Sequence, residues 1–195
     1  MVPRAGDDAE RSDEEEGRHD AAGDDAERSD EEEGRRDAAG VVITAPAAEV
    51  LTRLQAAHGP VMFHQSGGCC DGSSPMCYPL GDFVVGDRDV LLGVLDVGKD
   101  GVPVWISGPQ YTAHYLDKHT QLVIDVVPGR GGGFSLEAPD GVRFLSRGRV
   151  FTDEEQASRA AAAVITGADY DRGERPAARG PVVADPASAT CPPRR

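Results

Sequence analysis

No stretch of this chain approaches the roughly 18 consecutive apolar residues that a membrane-spanning helix needs, and the N-terminus carries no apolar signal core. A soluble, cytoplasmic protein is expected. Basic residues are scarce as well: 20 Lys and Arg stand against 34 Asp and Glu, for a net charge of −14. With no basic stripe, nucleic acid is not the expected partner. The sequence also lacks a Gly-x-Ser-x-Gly elbow, a paired-histidine metalloprotease motif and a dinucleotide fingerprint. Cysteine is rare, at four residues, yet three of the four fall within one short loop. In a reducing cytosol such clustering points to ligands or redox groups rather than a disulfide framework.

The charge is unevenly placed. Residues 1–40 hold 16 acids against 6 Arg, leaving 18 acids against 14 bases in the other 155 residues. Within that segment Gly6–Ala22 is repeated as Gly23–Ala39 with one change, His19 to Arg36. An acidic repeat without apolar periodicity cannot offset the entropy of folding, so residues 1–40 read as a disordered tail. Ser12 and Ser29 each precede Asp-Glu-Glu-Glu, which would suit an acid-directed kinase. Residues 41–166 read as the folded domain, and 167–195, rich in Pro, Arg and Gly, as a second disordered tail.

Inside the domain, Pro46 opens a helix with Ala47, Val50, Leu51 and Leu54 on one face, and His58-Gly59-Pro60 stops it. Val61–Phe63, Val90–Leu95, Val102–Ile106 and Leu122–Val127 read as strands, with Gly98–Gly101 as a hairpin turn. Phe134–Glu137 and Val142–Leu145 read as a second hairpin about Ala138–Gly141, and Pro109–His119 as a single helix. Thr152 caps an alanine-rich helix expected to reach about Ile165. The predicted class is α+β: a single small domain of mostly antiparallel strands with a helix at each end.

The chemistry concentrates in His64-Gln65-Ser66-Gly67-Gly68-Cys69-Cys70-Asp71-Gly72-Ser73-Ser74-Pro75-Met76-Cys77. Thiolates suit soft or borderline metals, and three thiols with one imidazole make a tetrahedral set. Cys69, Cys70, Cys77 and His64 are the local candidates for zinc, iron or an iron–sulfur cluster. The spacing matches no zinc knuckle. Adjacent cysteines on extended backbone diverge, so both bind one ion only where the loop is turned, as Gly67, Gly68 and Gly72 permit; without that turn Cys70 is the thiol expected to be spared. Two other readings stay open: a thiol-redox or Cys–His nucleophilic site using Cys69 or Cys70, and a structural loop with inert thiols. His114 and His119 are five apart and share no helical face; His119 would reach the metal set only through folding. Gly129-Arg130-Gly131-Gly132-Gly133-Phe134 reads as a bulged turn between strands rather than a phosphate cradle, because no Lys-Ser/Thr and no helix follow it.

Three segments carry a family resemblance: the 64–77 loop, His119–Val127, and Gly129–Glu137. Through them, the run from Ala47 to Glu154 resembles an uncharacterised bacterial family, domain of unknown function 779. Its members tend to be encoded beside aldehyde or alcohol dehydrogenases, which implies an accessory role with such an enzyme as partner. The chain is too short to be that dehydrogenase itself. Ser66-Gly67-Gly68-Cys69, Gly133-Phe134-Ser135-Leu136 and Ala138-Pro139 are, more distantly, similar in order to the A-type iron–sulfur carriers of the HesB family. That likeness implies a β-rich fold, although the paired cysteines that end those carriers have no counterpart after Pro139.

Overall fold

The computed structural model describes residues 39–66, 74–116, 119–131, 133–160, 162–176 and 179–183, with backbone alone for 114–116. The acidic duplication therefore lies outside the described residues, apart from Ala39. Strand β1 (Val41–Thr44) leads directly into helix α1 (Ala45–His58). The Thr44 side chain accepts the Ala47 N–H, and Pro46 occupies the first turn, where its missing N–H is no loss. Gly59, at φ 80, ends the helix in a conformation that side chains other than glycine resist. Ala47, Val50, Leu51 and Leu54 are buried, the face that the 3.6-residue period marks.

Strands β2 (Val61–Gln65), β3 (Met76–Pro79), β4 (Val90–Leu95) and β5 (Val102–Ile106) follow. They join in one sheet in the order β3-β2-β5-β4-β8, where β8 is Ile165–Thr166; β9 (Arg179–Gly180) also pairs with β4. The second sheet has the order β10-β1-β6-β7, with β6 spanning Thr120–Pro128, β7 Val142–Val150 and β10 Val182–Val183. The main core lies between the sheets and under α1: Val41 and Ile43 of β1, Phe63 of β2, Val104 of β5, Leu122 and Ile124 of β6, and Phe144 of β7. Phe63 and Phe144 meet edge to face across it, ring centroids 4.8 Å apart. The result is one mixed α+β domain with strands dominating, as the sequence predicts. The β4–β5 hairpin forms about Gly98 and Gly101, both at positive φ. Parallel neighbours, β1 with β6 and β2 with β5, are joined through long crossovers.

Four local expectations are corrected. The helix over Pro109–His119 becomes a short turn, α2 (Gly108–Gln110), running into a π-helix at Tyr111–Leu116. There the Thr112 hydroxyl donates to the Gly108 carbonyl and competes with the α-helical ladder. Phe134–Glu137 is not a strand: β6 and β7 pair directly with each other from Thr120↔Val150 to Pro128↔Val142, and 134–137 folds into turns before a 3-10 helix at Ala138–Asp140. The alanine-rich helix α3 (Asp153–Ala160) stops short, because Ile165 is drawn into β8 and buried beside Met62, Leu91 and Trp105. The segment after 166, expected as a tail, carries helix α4 (Gly167–Asp171), β9 and β10, and β10 extends the second sheet beside β1. Residues 184–195, with Cys191, lie outside the described residues. Among the described residues, no helix is long and apolar enough to cross a membrane.

Candidate functional site

Strands β2 and β3 pair antiparallel, and their register decides where the side chains on either side of residues 66–75 point. Phe63 lies opposite Cys77 and His64 opposite Met76. Because side chains alternate along a strand, Phe63 and Cys77 share one face while His64 and Met76 share the other. Cys77 accordingly belongs to the inter-sheet core. His64 faces outward, where the Phe83 ring stacks on it at 4.3 Å, followed by Tyr78 against Phe83 at 4.9 Å. The sheet itself thus separates two residues that the sequence groups in one ligand set.

His64 is held at both ring nitrogens. Nε2 is 3.1 Å from Asp89 Oδ2, and Nδ1 is 2.7 Å from Ser66 Oγ. A carboxylate only accepts, so the proton sits on Nε2 and the Nδ1 lone pair receives the Ser66 hydroxyl. Burial lowers the His64 pKa, outweighing the Asp89 hydrogen bond and charge that raise it, so the imidazole is neutral near pH 7. Asp89 is itself fixed: its Oδ2 accepts the Gly86 N–H at 2.8 Å, and its carbonyl accepts the Gly167 N–H at 2.9 Å. The arrangement provides a tautomer-locked imidazole whose acceptor nitrogen, Nδ1, is engaged by the Ser66 hydroxyl.

On the inner face the chemistry differs. Burial pushes the Cys77 thiol far above the ordinary cysteine range, and the nearby Glu137 carboxyl adds to the rise. A thiol that keeps its proton is a poor nucleophile. Ser135 Oγ accepts the Cys77 N–H at 2.8 Å and is closely hydrogen-bonded to Glu137, which is fully buried. Gln65, next to His64 but facing inward, accepts the Ser146 hydroxyl at 2.8 Å.

The other predicted residues scatter. Cys69 and Cys70 lie outside the described residues. His119 is exposed, immediately before β6, in a left-handed conformation, φ 51, with its carbonyl accepting the Phe151 N–H. Among the described residues, no group of three His, Cys, Asp or Glu side chains is placed to hold a metal ion. Asp89 and Glu137 were not singled out by sequence reasoning. Asp89 sits in an ordinary polar turn, Gly86-Asp87-Arg88-Asp89, and Glu137 follows Ser135 and Leu136 just before a turn, so neither has a spacing that marks it.

The model of a family described as "Domain of unknown function (DUF779)" matches residues 50–150. The chain belongs to this family. The DUF779 match takes in β2, the cysteine loop, β3, Asp89 and the whole β6–β7 hairpin with Glu137. It leaves out β1 and everything after β7, although β1 is central to the second sheet. Nothing among the curated proteins and nothing among the solved structures matches the chain.

Proposed function

We propose that this DUF779 protein is a small accessory protein whose 66–75 loop binds a metal ion, zinc or iron, or an iron–sulfur species, through Cys69, Cys70 and the His64 imidazole. The observation that carries this reading is the Asp89–His64 pair. Metal-binding histidines characteristically donate their second ring N–H to a carboxylate, which sets the tautomer and aims the free nitrogen. Here that nitrogen is Nδ1, and displacing the Ser66 hydroxyl would free it for an ion held by thiolates three and four residues further on. Three protein ligands leave a fourth position open. Cys77 and His119 have no place in this set, the first facing the opposite side of the sheet and the second lying immediately before β6. The partner proposed is an aldehyde- or alcohol-oxidising dehydrogenase, a proposal supported by the resemblance described above and by the absence of a dinucleotide motif in the chain itself.

Anaerobic purification with elemental analysis tests the proposal. About one metal or cluster per chain is expected, lost in Cys69→Ser and weakened more by His64→Ala than by His119→Ala, while Cys77→Ser keeps the metal. Metal far below one per chain, including after reconstitution, overturns it. In that case rapid alkylation of Cys69 or Cys70 would mark a thiol-redox enzyme, served by the same neutral imidazole as base. A metal-free protein without a reactive thiol that co-purifies with a dehydrogenase would mark a purely structural partner.

A further inference from the structure

β3 is the edge strand of its sheet, and at Cys77 both backbone groups turn outward to the segment that joins β6 and β7. Cys77 N–H donates to Ser135 Oγ at 2.8 Å, and the Cys77 carbonyl accepts the Leu136 N–H at 3.0 Å. Residues 133–137 therefore act as a strap along an edge that would otherwise be unpaired. The strap is pinned from within by Glu137, whose carboxyl contacts Ser135 Oγ and lies 3.4 Å from the Phe144 N–H. Leu136 packs against the main core, while Phe134, on the outer side of the strap, is 85% exposed.

The pin is electrically unusual. Glu137 is fully buried, and no cationic side chain among the described residues pairs with it. The titratable groups that face it are the Cys77 thiol on β3 and the Asp140 carboxylate on the 3-10 helix. Arg143, the nearest cation along β7, reaches instead to Ser74 Oγ at 3.1 Å. An ionised carboxylate in such a place loses its hydration without gaining a counter-charge, so the closed strap favours the protonated acid. Burial indeed raises the Glu137 pKa, against the hydrogen bonds from Ser135 and the backbone that lower it.

We propose that residues 133–137 form a proton-controlled latch on β3, shut while the Glu137 carboxyl holds its proton and released when that proton passes to solvent. Opening uncovers the outer edge of β3 and the Cys77 thiol together. The latch does not depend on any ligand at the 66–75 loop.

Amide hydrogen exchange on the full chain tests it, with protection corrected for intrinsic rates between pH 5 and 9. The Leu136 amide should lose protection about tenfold per pH unit from pH 5 up to the pH at which Glu137 ionises within the closed strap, because below that pH each opening releases one proton, and should level off above it. The Ile124 amide in the β6 ladder should not follow, and Glu137→Gln should give a Leu136 profile flat within about twofold. A flat wild-type profile, the same slope in the variant, or a parallel loss at Ile124 overturns the latch. If the variant does not fold, the wild-type protein decides alone: the Glu137 carboxyl carbon must titrate at the pH where Leu136 protection levels off, and a mismatch overturns the proposal.

Discussion

Two glycines two positions apart separate close packing from spacing. A Cβ on Gly131 would stand 2.7 Å from Glu137 Oε1, a fully buried group that has little room to retreat, whereas a Cβ on Gly133 would meet nothing within 4 Å. Neither position has the left-handed backbone that alone would penalise alanine. Gly131→Ala is therefore expected to cost about 1–3 kcal/mol through overpacking. Gly133→Ala should stay within about 0.5 kcal/mol. Paired urea melts check this, and equal costs would show that the contact with Glu137 does not govern the strap. The same scale explains why His64 and Cys77 part company. They are thirteen positions apart in the chain, and the β2–β3 register puts one against the Phe83 ring and the other in the apolar core.

Among elements, the C-terminal pieces matter more than their composition suggests. β10 adds to β1 through Ile43↔Val182 and Thr44↔Val183, and β9 adds to β4. A Cβ on Gly180 would stand 2.0 Å from the Val41 carbonyl, so the chain passes against β1 as only glycine allows. α4 begins with a Thr166–Asp169 capping box, and its Tyr170 ring packs edge-on against Trp105 at 5.2 Å. Ending the chain after residue 166 should thus cost about 2 kcal/mol or more, roughly 4–8 °C in Tm. Removing residues 1–38 should leave the melting temperature where it is, since the acidic repeat has no apolar face to bury. Thermal melts of the two truncated chains against the full one decide both points. An unchanged Tm after the C-terminal cut would remove 167–183 from the fold's energetic core.

For the molecule as a whole, two buried carboxyls pull stability in opposite directions with pH. Burial alone would raise Asp125, but hydrogen bonds from Arg147, the Val126 N–H and Thr44, with the Arg147 charge, bring it below the ordinary aspartate value. Its folded pKa lies below the unfolded one, so its contribution is complete above about pH 3.8 and is lost as pH falls further. Glu137 has the opposite sign: its folded pKa is raised, so its contribution is complete below about pH 4.5 and is lost as pH climbs through the folded value. Urea melts from pH 2 to 8 should therefore fall away on both sides of a narrow optimum. Asp125→Asn should flatten the acid limb and Glu137→Gln the other. An acid limb that survives Asp125→Asn would assign it to other carboxylates.

At this same scale, the sequence alone determined what is set by local pattern. Helix α1 and its caps, the β4–β5 hairpin and the strand-dominated class follow from periodicity, glycine placement and residue chemistry within a few neighbours. Tertiary structure alone decided the rest. The parallel pairing of β1 with β6 joins residues some eighty positions apart, which no local signal encodes. Ile165 left a good helical context for β8 because burial beside Trp105 outweighs intrinsic propensity. Asp89 and Glu137 became notable only once strands from elsewhere placed an imidazole beside one and a thiol beside the other. The strand register, finally, divided His64 from Cys77, because alternation across a sheet turns an odd offset into opposite faces.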